Sequence, residues 1–132
     1  MPRPTTEMLT EREAQIMDVL WRLGEAVADD VRARLPGDPH DSTVRTLLRI
    51  LESKGYVVHR TSGKSYVYRP AVDRSQAQRS ALRSFLGRLF EGSAEKLVIS
   101  LIEEEELTFE QLEQIRKPVQ SRRAKRRNGE SP

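Results

Sequence analysis

The sequence predicts a mainly α-helical protein with one small β-hairpin, and three observations carry that expectation. Between Ser42 and Ser53 the apolar residues Val44, Leu47, Leu48 and Leu51 fall at i, i+3, i+4 and i+7, the spacing of a single helix face. After Gly55 the period changes to two. Tyr56–Thr61 and Ser65–Arg69 are rich in Val and Tyr, with the turn sequence Thr61-Ser62-Gly63-Lys64-Ser65 between them. Two further helical patterns precede the helix. The order of helix, short strand, helix, loop, helix and hairpin is that of a winged helix-turn-helix, complete within residues 1–72.

The first helix opens at Thr10-Glu11-Arg12-Glu13, a capping box in which Thr10 caps and Glu13 reaches back. Leu9 is placed as its hydrophobic staple. Ile16, Leu20 and Leu23 form the apolar stripe with Met17 and Trp21, and Gly24 closes the helix. Helical spacing favours a core role for Trp21 over a stacking platform. Ala26-Val27 reads as a short strand. Asp29–Leu35 reads as a second helix, with Asp29 and Asp30 at its positive N-terminus and Val31 and Leu35 inward. Pro36-Gly37-Asp38-Pro39-His40 breaks the chain. Asp41 or Ser42 is expected to cap the third helix, and Gly55 ends it.

Beyond Pro70-Ala71-Val72, Asp73-Arg74-Ser75-Gln76 resembles another capping box. The helix after it runs to Phe90 and is expected to bury Ala81, Leu82, Phe85, Leu86 and Leu89; Gly92-Ser93 breaks it. Leu97, Val98, Leu101 and Ile102 form a further apolar face, and Thr108 caps a last helix striped by Leu112, Ile115 and Val119. Helices this short are marginal alone, and their apolar faces need a partner. Another copy of the chain is the simplest one. Phe85, Leu86, Leu89, Leu97, Val98, Leu101, Ile102, Leu112 and Ile115 are therefore expected to form a homodimer within a helical dimerisation region, residues 73–119. Residues 120–132 read as a basic disordered tail.

Composition bounds the function. The chain has 132 residues, 33% of them charged, and no apolar run long enough to span a membrane. Its first residues contain no apolar signal region, so a cytoplasmic location is expected. With no cysteine, disulfides and thiolate metal sites are excluded. Glu103–Glu106 has no further ligands to make a metal site, so neither metal nor cofactor is expected. The net charge of +3 is uneven: Arg116 to Arg127 holds seven basic residues and no acid. Taking those seven from the 23 basic residues, and Glu130 from the 20 acidic ones, leaves 16 against 19, or −3. Ser42 to Arg69 nevertheless carries six Lys or Arg and only Glu52 as an acid, a local +5.

That local charge points to double-stranded DNA. The polar face of the third helix carries Ser42, Thr43, Arg45, Thr46 and Arg49. In a major groove, Arg45 and Arg49 can reach guanine edges. Arg60, Ser62, Gly63 and Lys64 then place the hairpin along the phosphates, with His59 also near phosphate if its strand faces DNA. A protein–protein module would not need Arg45, Thr46 and Arg49 clear of acids beside a basic turn. An enzyme would need a nucleophile–base constellation or a phosphate-cradling glycine loop, and neither is visible.

The residues Leu9 to Trp21, with Ser42-Thr43-Val44-Arg45-Thr46-Leu47-Leu48-Arg49-Ile50-Leu51, resemble the opening and recognition helices of the penicillinase-repressor family (BlaI/MecI/CopY type). Lys54-Gly55-Tyr56-Val57, Tyr66-Val67-Tyr68, Phe85-Leu86, Leu97-Val98 and Glu104-Glu105-Glu106-Leu107 fit as well, from Leu9 to Val119. The resemblance implies a homodimeric repressor on inverted-repeat operators. In its penicillinase branch a membrane sensor with a metalloprotease domain triggers cutting at an Asn-Phe bond in the dimerisation region. Ser100-Leu101 stands at the matching position, making Ser100 and Leu101 the implied cleavage site. The copper branch uses a C-terminal cysteine motif that this chain lacks.

Overall fold

A buried carboxylate fixes the start of the first helix. The structure, a computed structural model, describes residues 9–127. Thr10 Oγ1 accepts from the Glu13 N–H at 3.2 Å, and the Thr10 N–H donates to Glu13 Oε1 at 2.8 Å, closing the expected capping box. The helix α1 spans Glu11–Leu23 and ends on Gly24. The strand β1, Ala26–Val27, leads into α2, Ala28–Ala33, which is shorter than expected and leaves the buried Leu35 just beyond its end.

The helix α3 spans Asp41–Ser53. Its N-cap is His40, with no side-chain cap, so neither Asp41 nor Ser42 plays that part; the Asp41 carboxylate bonds Arg45 instead. At the other end the Gly55 N–H donates to Glu52 O at 3.1 Å and the Tyr56 N–H to Leu51 O at 2.9 Å. This is the Schellman pattern, and Gly55, at φ +86, takes the left-handed position it requires. The turn launches β2, Val57–Ser62, which pairs antiparallel with β3, Ser65–Pro70. Only Gly63-Lys64 links them, with glycine at φ +61 in the first central position, as a type II′ turn demands. The sheet order is β1-β3-β2, with Ala26 opposite Tyr68.

Ile16, Met17, Leu20, Val31, Val44, Leu48, Leu51, Tyr56 and Val57 are almost wholly enclosed and form the core where α1, α2, α3 and the sheet meet. Trp21 lies half-buried at its edge and donates Nε1–H to Val72 O at 3.0 Å. Arg74 packs over the Trp21 ring at 4.9 Å and bonds Asp18 at 2.9 Å. These ties, with the buried Ala77, attach the first turns of α4, Arg74–Leu89, to the core. The first compact unit accordingly extends through Phe85, past the sequence boundary at Val72.

The second unit begins at Leu86 and includes α5, Ala94–Glu103, and α6, Phe109–Arg127. Ser93 caps α5 and Thr108 caps α6, the latter in a reciprocal box with Gln111. Two expectations are corrected. Leu82 and Leu89 are 50% and 68% exposed, not buried, because within one chain α4 fully encloses only Ala77. Residues 120–127 are not disordered: α6 runs through Pro118 to Arg127. Gln, Arg, Lys and Ala there are good helix formers, which offsets the hydrogen bond lost at Pro118. The rest of the expected tail, residues 128–132, lies outside the described residues.

Glu13 is 2% exposed and accepts two bonds from Lys54 Nζ, at 3.0 and 3.1 Å. Burial alone pushes its carboxyl upward, but the bonds from the Thr10 N–H and the Lys54 ammonium outweigh it, and the pKa lies below the ordinary value. A depressed carboxyl contributes stability above its unfolded value near 4.5 and loses it as pH falls through the folded value. Glu13→Gln, which removes the buried carboxylate charge that Lys54 Nζ bonds, is expected to cost roughly 3 kcal/mol in urea unfolding at neutral pH. The difference from wild type should narrow as the pH drops into the acid range. Equal stability at neutral pH would contradict this.

Candidate nucleic-acid interface

The face of α3 opposite the core is polar apart from Ile50, which is exposed near its edge. Val44, Leu48 and Leu51 are fully enclosed, so Ser42, Thr43, Arg45, Thr46 and Arg49 all stand exposed. Arg60, Ser62, Gly63 and Lys64 are exposed in the hairpin. The structure thus presents every expected DNA-facing side chain at the surface of the first unit.

Their electrostatic settings differ. Arg49 makes no ion pair or hydrogen bond among the described residues, and nor does Lys64 at the turn. Arg45 is not clear of acids: its Nε donates to Asp41 Oδ2 at 2.8 Å, and its Nη2 lies 3.6 Å from Asp29 Oδ1. The Arg45 bond holds the Asp41 carboxyl below its usual range against the opposing effect of burial, and Asp41 in turn raises the Arg45 guanidinium. Arg60 Nη2 likewise meets Glu25 at 3.1 Å. Sequence reading missed all three acids. Asp41 lies one helical turn before Arg45 and was legible as an i, i+4 pair. Asp29 and Glu25 come from other elements and were not.

A cluster of rings joins the hairpin to α3. The register sets His59 opposite Tyr68 and Thr61 opposite Tyr66, so these side chains share one face of the sheet. His59 stacks on Tyr66 with ring centroids 4.2 Å apart. Its Nδ1 lies 2.7 and 2.8 Å from the Glu52 carboxylate oxygens. That nitrogen is therefore engaged by Glu52, not left for phosphate. Burial chiefly, with Glu52 beside it, raises the Tyr68 phenol, while Arg45 and Arg49 oppose the rise. Glu52, the one acid in the basic segment, thus serves to tie the wing to the helix. Among the described residues no group of three or more His, Cys, Asp or Glu is placed to hold a metal ion.

The expected dimer residues occupy the end of α4 and the second unit. Phe85, Leu86, Leu97, Val98, Leu101, Ile102 and Leu112 are half-buried, while Leu89 and Ile115 are exposed. Phe109, at 73% exposure, and Ile99 are further apolar side chains that the sequence reading did not select. Ser100 and Leu101 lie inside α5 and are half-buried.

The family described as penicillinase repressor matches residues 9–121. The methicillin resistance regulatory protein MecI of Staphylococcus aureus (strain N315) is 24% identical over 113 residues, covering 84% of this chain and 92% of the relative. The penicillinase repressor of Bacillus licheniformis is 27% identical over 109 residues, covering 81% and 85%. Among solved structures, the DNA-binding domain of the repressor BlaI superposes with a TM-score of 0.50 at 25% identity, covering 55% of this chain and 92% of that domain.

The free ammonium of Lys64 and the paired Arg60 predict unequal effects of their removal. Lys64→Ala should weaken binding to any duplex and reduce the slope of log affinity against log salt by about one. Arg60→Ala should change that slope less, since Glu25 already neutralises part of its charge. Titrations at several salt concentrations with one scrambled duplex measure both. A larger effect for Arg60 than for Lys64 would contradict the pairing.

Proposed function

The chain belongs to the penicillinase repressor family, and from that premise we propose how this DNA-binding transcriptional repressor works: as a homodimer on inverted-repeat operators, relieved by proteolysis within its dimerisation helices. It is not an enzyme. The observation that carries the reading is the exposed polar face of α3, with Arg49 unpaired, beside a wing whose tip is Lys64. Ser42, Thr43, Arg45, Thr46 and Arg49 meet base edges and nearby phosphates in the major groove, and Arg60, Ser62, Gly63 and Lys64 follow the backbone.

The dimer reading is supported by apolar surface that one chain leaves in water. Leu89, Ile115 and Phe109 are all largely exposed, and α5 offers Leu97, Val98, Leu101 and Ile102 on one face. A second copy covers this surface through an interface above about 1,000 Å². Two-fold symmetry then sets two α3 helices on half-sites about one DNA turn apart or a multiple of it. Each winged domain alone makes few contacts. Joining two multiplies affinity through effective concentration, and separating them forfeits the gain.

Cutting Ser100-Leu101 would divide α5 and release that linkage. The bond sits within a helix, so a protease must first meet a locally unwound segment. A membrane sensor protease is the proposed trigger, and the cytoplasm the proposed location. No helix among the described residues is long and apolar enough to cross a membrane.

The test begins with a duplex chosen by the full chain from a randomised pool, which should be an inverted repeat. A chain ending at Ser100 should bind that duplex about a hundredfold more weakly, with its nonspecific binding retained. Sedimentation should show a dimer for the full chain and a monomer for the short one. Tight dimeric binding by the shortened chain would rule out this bond as the switch. Arg49→Ala should cost about 1–3 kcal/mol on the selected duplex and less on its scrambled form. Equal losses on both would reassign Arg49 to phosphate.

A further inference from the structure

The two acids that hold Arg45 have no place in a simple electrostatic account of DNA binding. Asp29 and Asp41 are 77% and 50% exposed at a surface meant for a polyanion, where each carboxylate opposes approach of any duplex. Each lies in the first turn of its helix, where the helix dipole favours an acid, but neither caps α3 nor enters the core. What they share is the guanidinium of Arg45. Asp41 takes its Nε–H, and Asp29 faces Nη2 from α2. Those two nitrogens form one edge of the planar fork. Nη1, on the terminal edge, has no partner among the described residues.

We propose that Asp41 and Asp29 are positioning residues that make Arg45 a reader of base sequence. The proposal rests on the reading of α3 as the DNA-recognition helix. An unrestrained arginine in a groove can swing to the nearest phosphate, a contact that carries no sequence information. With its Nε edge held by two carboxylates, Arg45 keeps its terminal edge for a bidentate bond to guanine O6 and N7. The carboxylates also repel the phosphates that would otherwise capture it. Affinity for arbitrary DNA is lowered, and the difference between right and wrong sequence is enlarged. One clamp residue comes from each helix of the helix-turn-helix, so the clamp forms only when α2 and α3 are docked.

The full-length chain tests this in competition binding on the duplex it selects from a randomised pool, against a scrambled duplex of the same composition. Asp41→Asn with Asp29→Asn should raise affinity for the scrambled duplex while failing to raise it equally for the selected one. The ratio of the two affinities should fall about tenfold, within the range expected for losing one bidentate base contact. Asp41→Glu, which keeps a carboxylate at the same helical spacing, should restore most of the ratio. In an Arg45→Ala background the Asn substitutions should leave the ratio unchanged, since there is no guanidinium left to position. A repeated selection with the double Asn variant should show relaxed guanine preference at one position in each half-site. An unchanged ratio would overturn the proposal, as would the same fall in the Arg45→Ala background, which would mark the acids as general repulsion or folding determinants. A wild-type chain that selects no preferred duplex would overturn the recognition-helix reading itself, and this proposal with it.

Discussion

The ion pair between Glu13 and Lys54 is the constraint on which the rest of the first unit depends. It joins the first turn of α1 to the residue that ends α3, with Glu13 2% and Lys54 16% exposed. A carboxylate that enclosed must be satisfied, and it is satisfied from two directions, by the Thr10 N–H and by Lys54. The pair therefore sets where α1 begins relative to where α3 stops. Lys54 is followed at once by Gly55, whose left-handed backbone turns the chain into β2. The direction of α3 and the launch of the wing are thus specified at one point.

A second link then fixes the wing against α3. Glu52 reaches His59, and His59 stacks on Tyr66 above the buried Tyr68. Glu13 acts inside the core, Glu52 at the wing, and Asp29, Asp41 and Glu25 around the exposed arginines. The basic segment is therefore less positive in the fold than in the sequence. Two of its arginines carry carboxylates brought alongside by α2, by the turn after α1 and by the start of α3. Arg49 and Lys64 keep their charge uncompensated among the described residues. The two cations left uncompensated thus lie on different elements, Arg49 on α3 and Lys64 at the hairpin turn.

The parts of this structure legible in the sequence are those written in local signals. The capping boxes at Thr10 and Asp73 reappear as reciprocal hydrogen bonds, and the expected cap at Thr108 is present with Gln111 as a reciprocal partner that the reading did not name. The shift from helical period to alternation at Gly55 located both α3 and the hairpin, because each period exposes a different set of residues. Pairings between distant residues were not legible: Arg60 with Glu25, Arg45 with Asp29, and Lys54 with Glu13 depend on packing that no local pattern encodes. The C-terminal end of α6 misled the reading for a different reason. A run of like charges suggests a solvated coil, but the same residues have good helix propensity, and the helix dipole favours cations at that end. The apolar stripes of α4 and α5 were visible, but a stripe shows only that something must cover it.

The central claim is that α3 lies in the major groove with its arginines at guanine edges. Dimethyl sulfate reports this directly, because it methylates guanine N7 in the major groove and adenine N3 in the minor groove. On the duplex that the full chain selects, bound protein should protect guanine N7 in two patches centred about one helical turn apart or a multiple of it. Substituting Arg45 or Arg49 by alanine should reopen individual guanines within each patch. Tight binding with every guanine N7 still reactive, or with protection confined to adenine N3, would contradict the account.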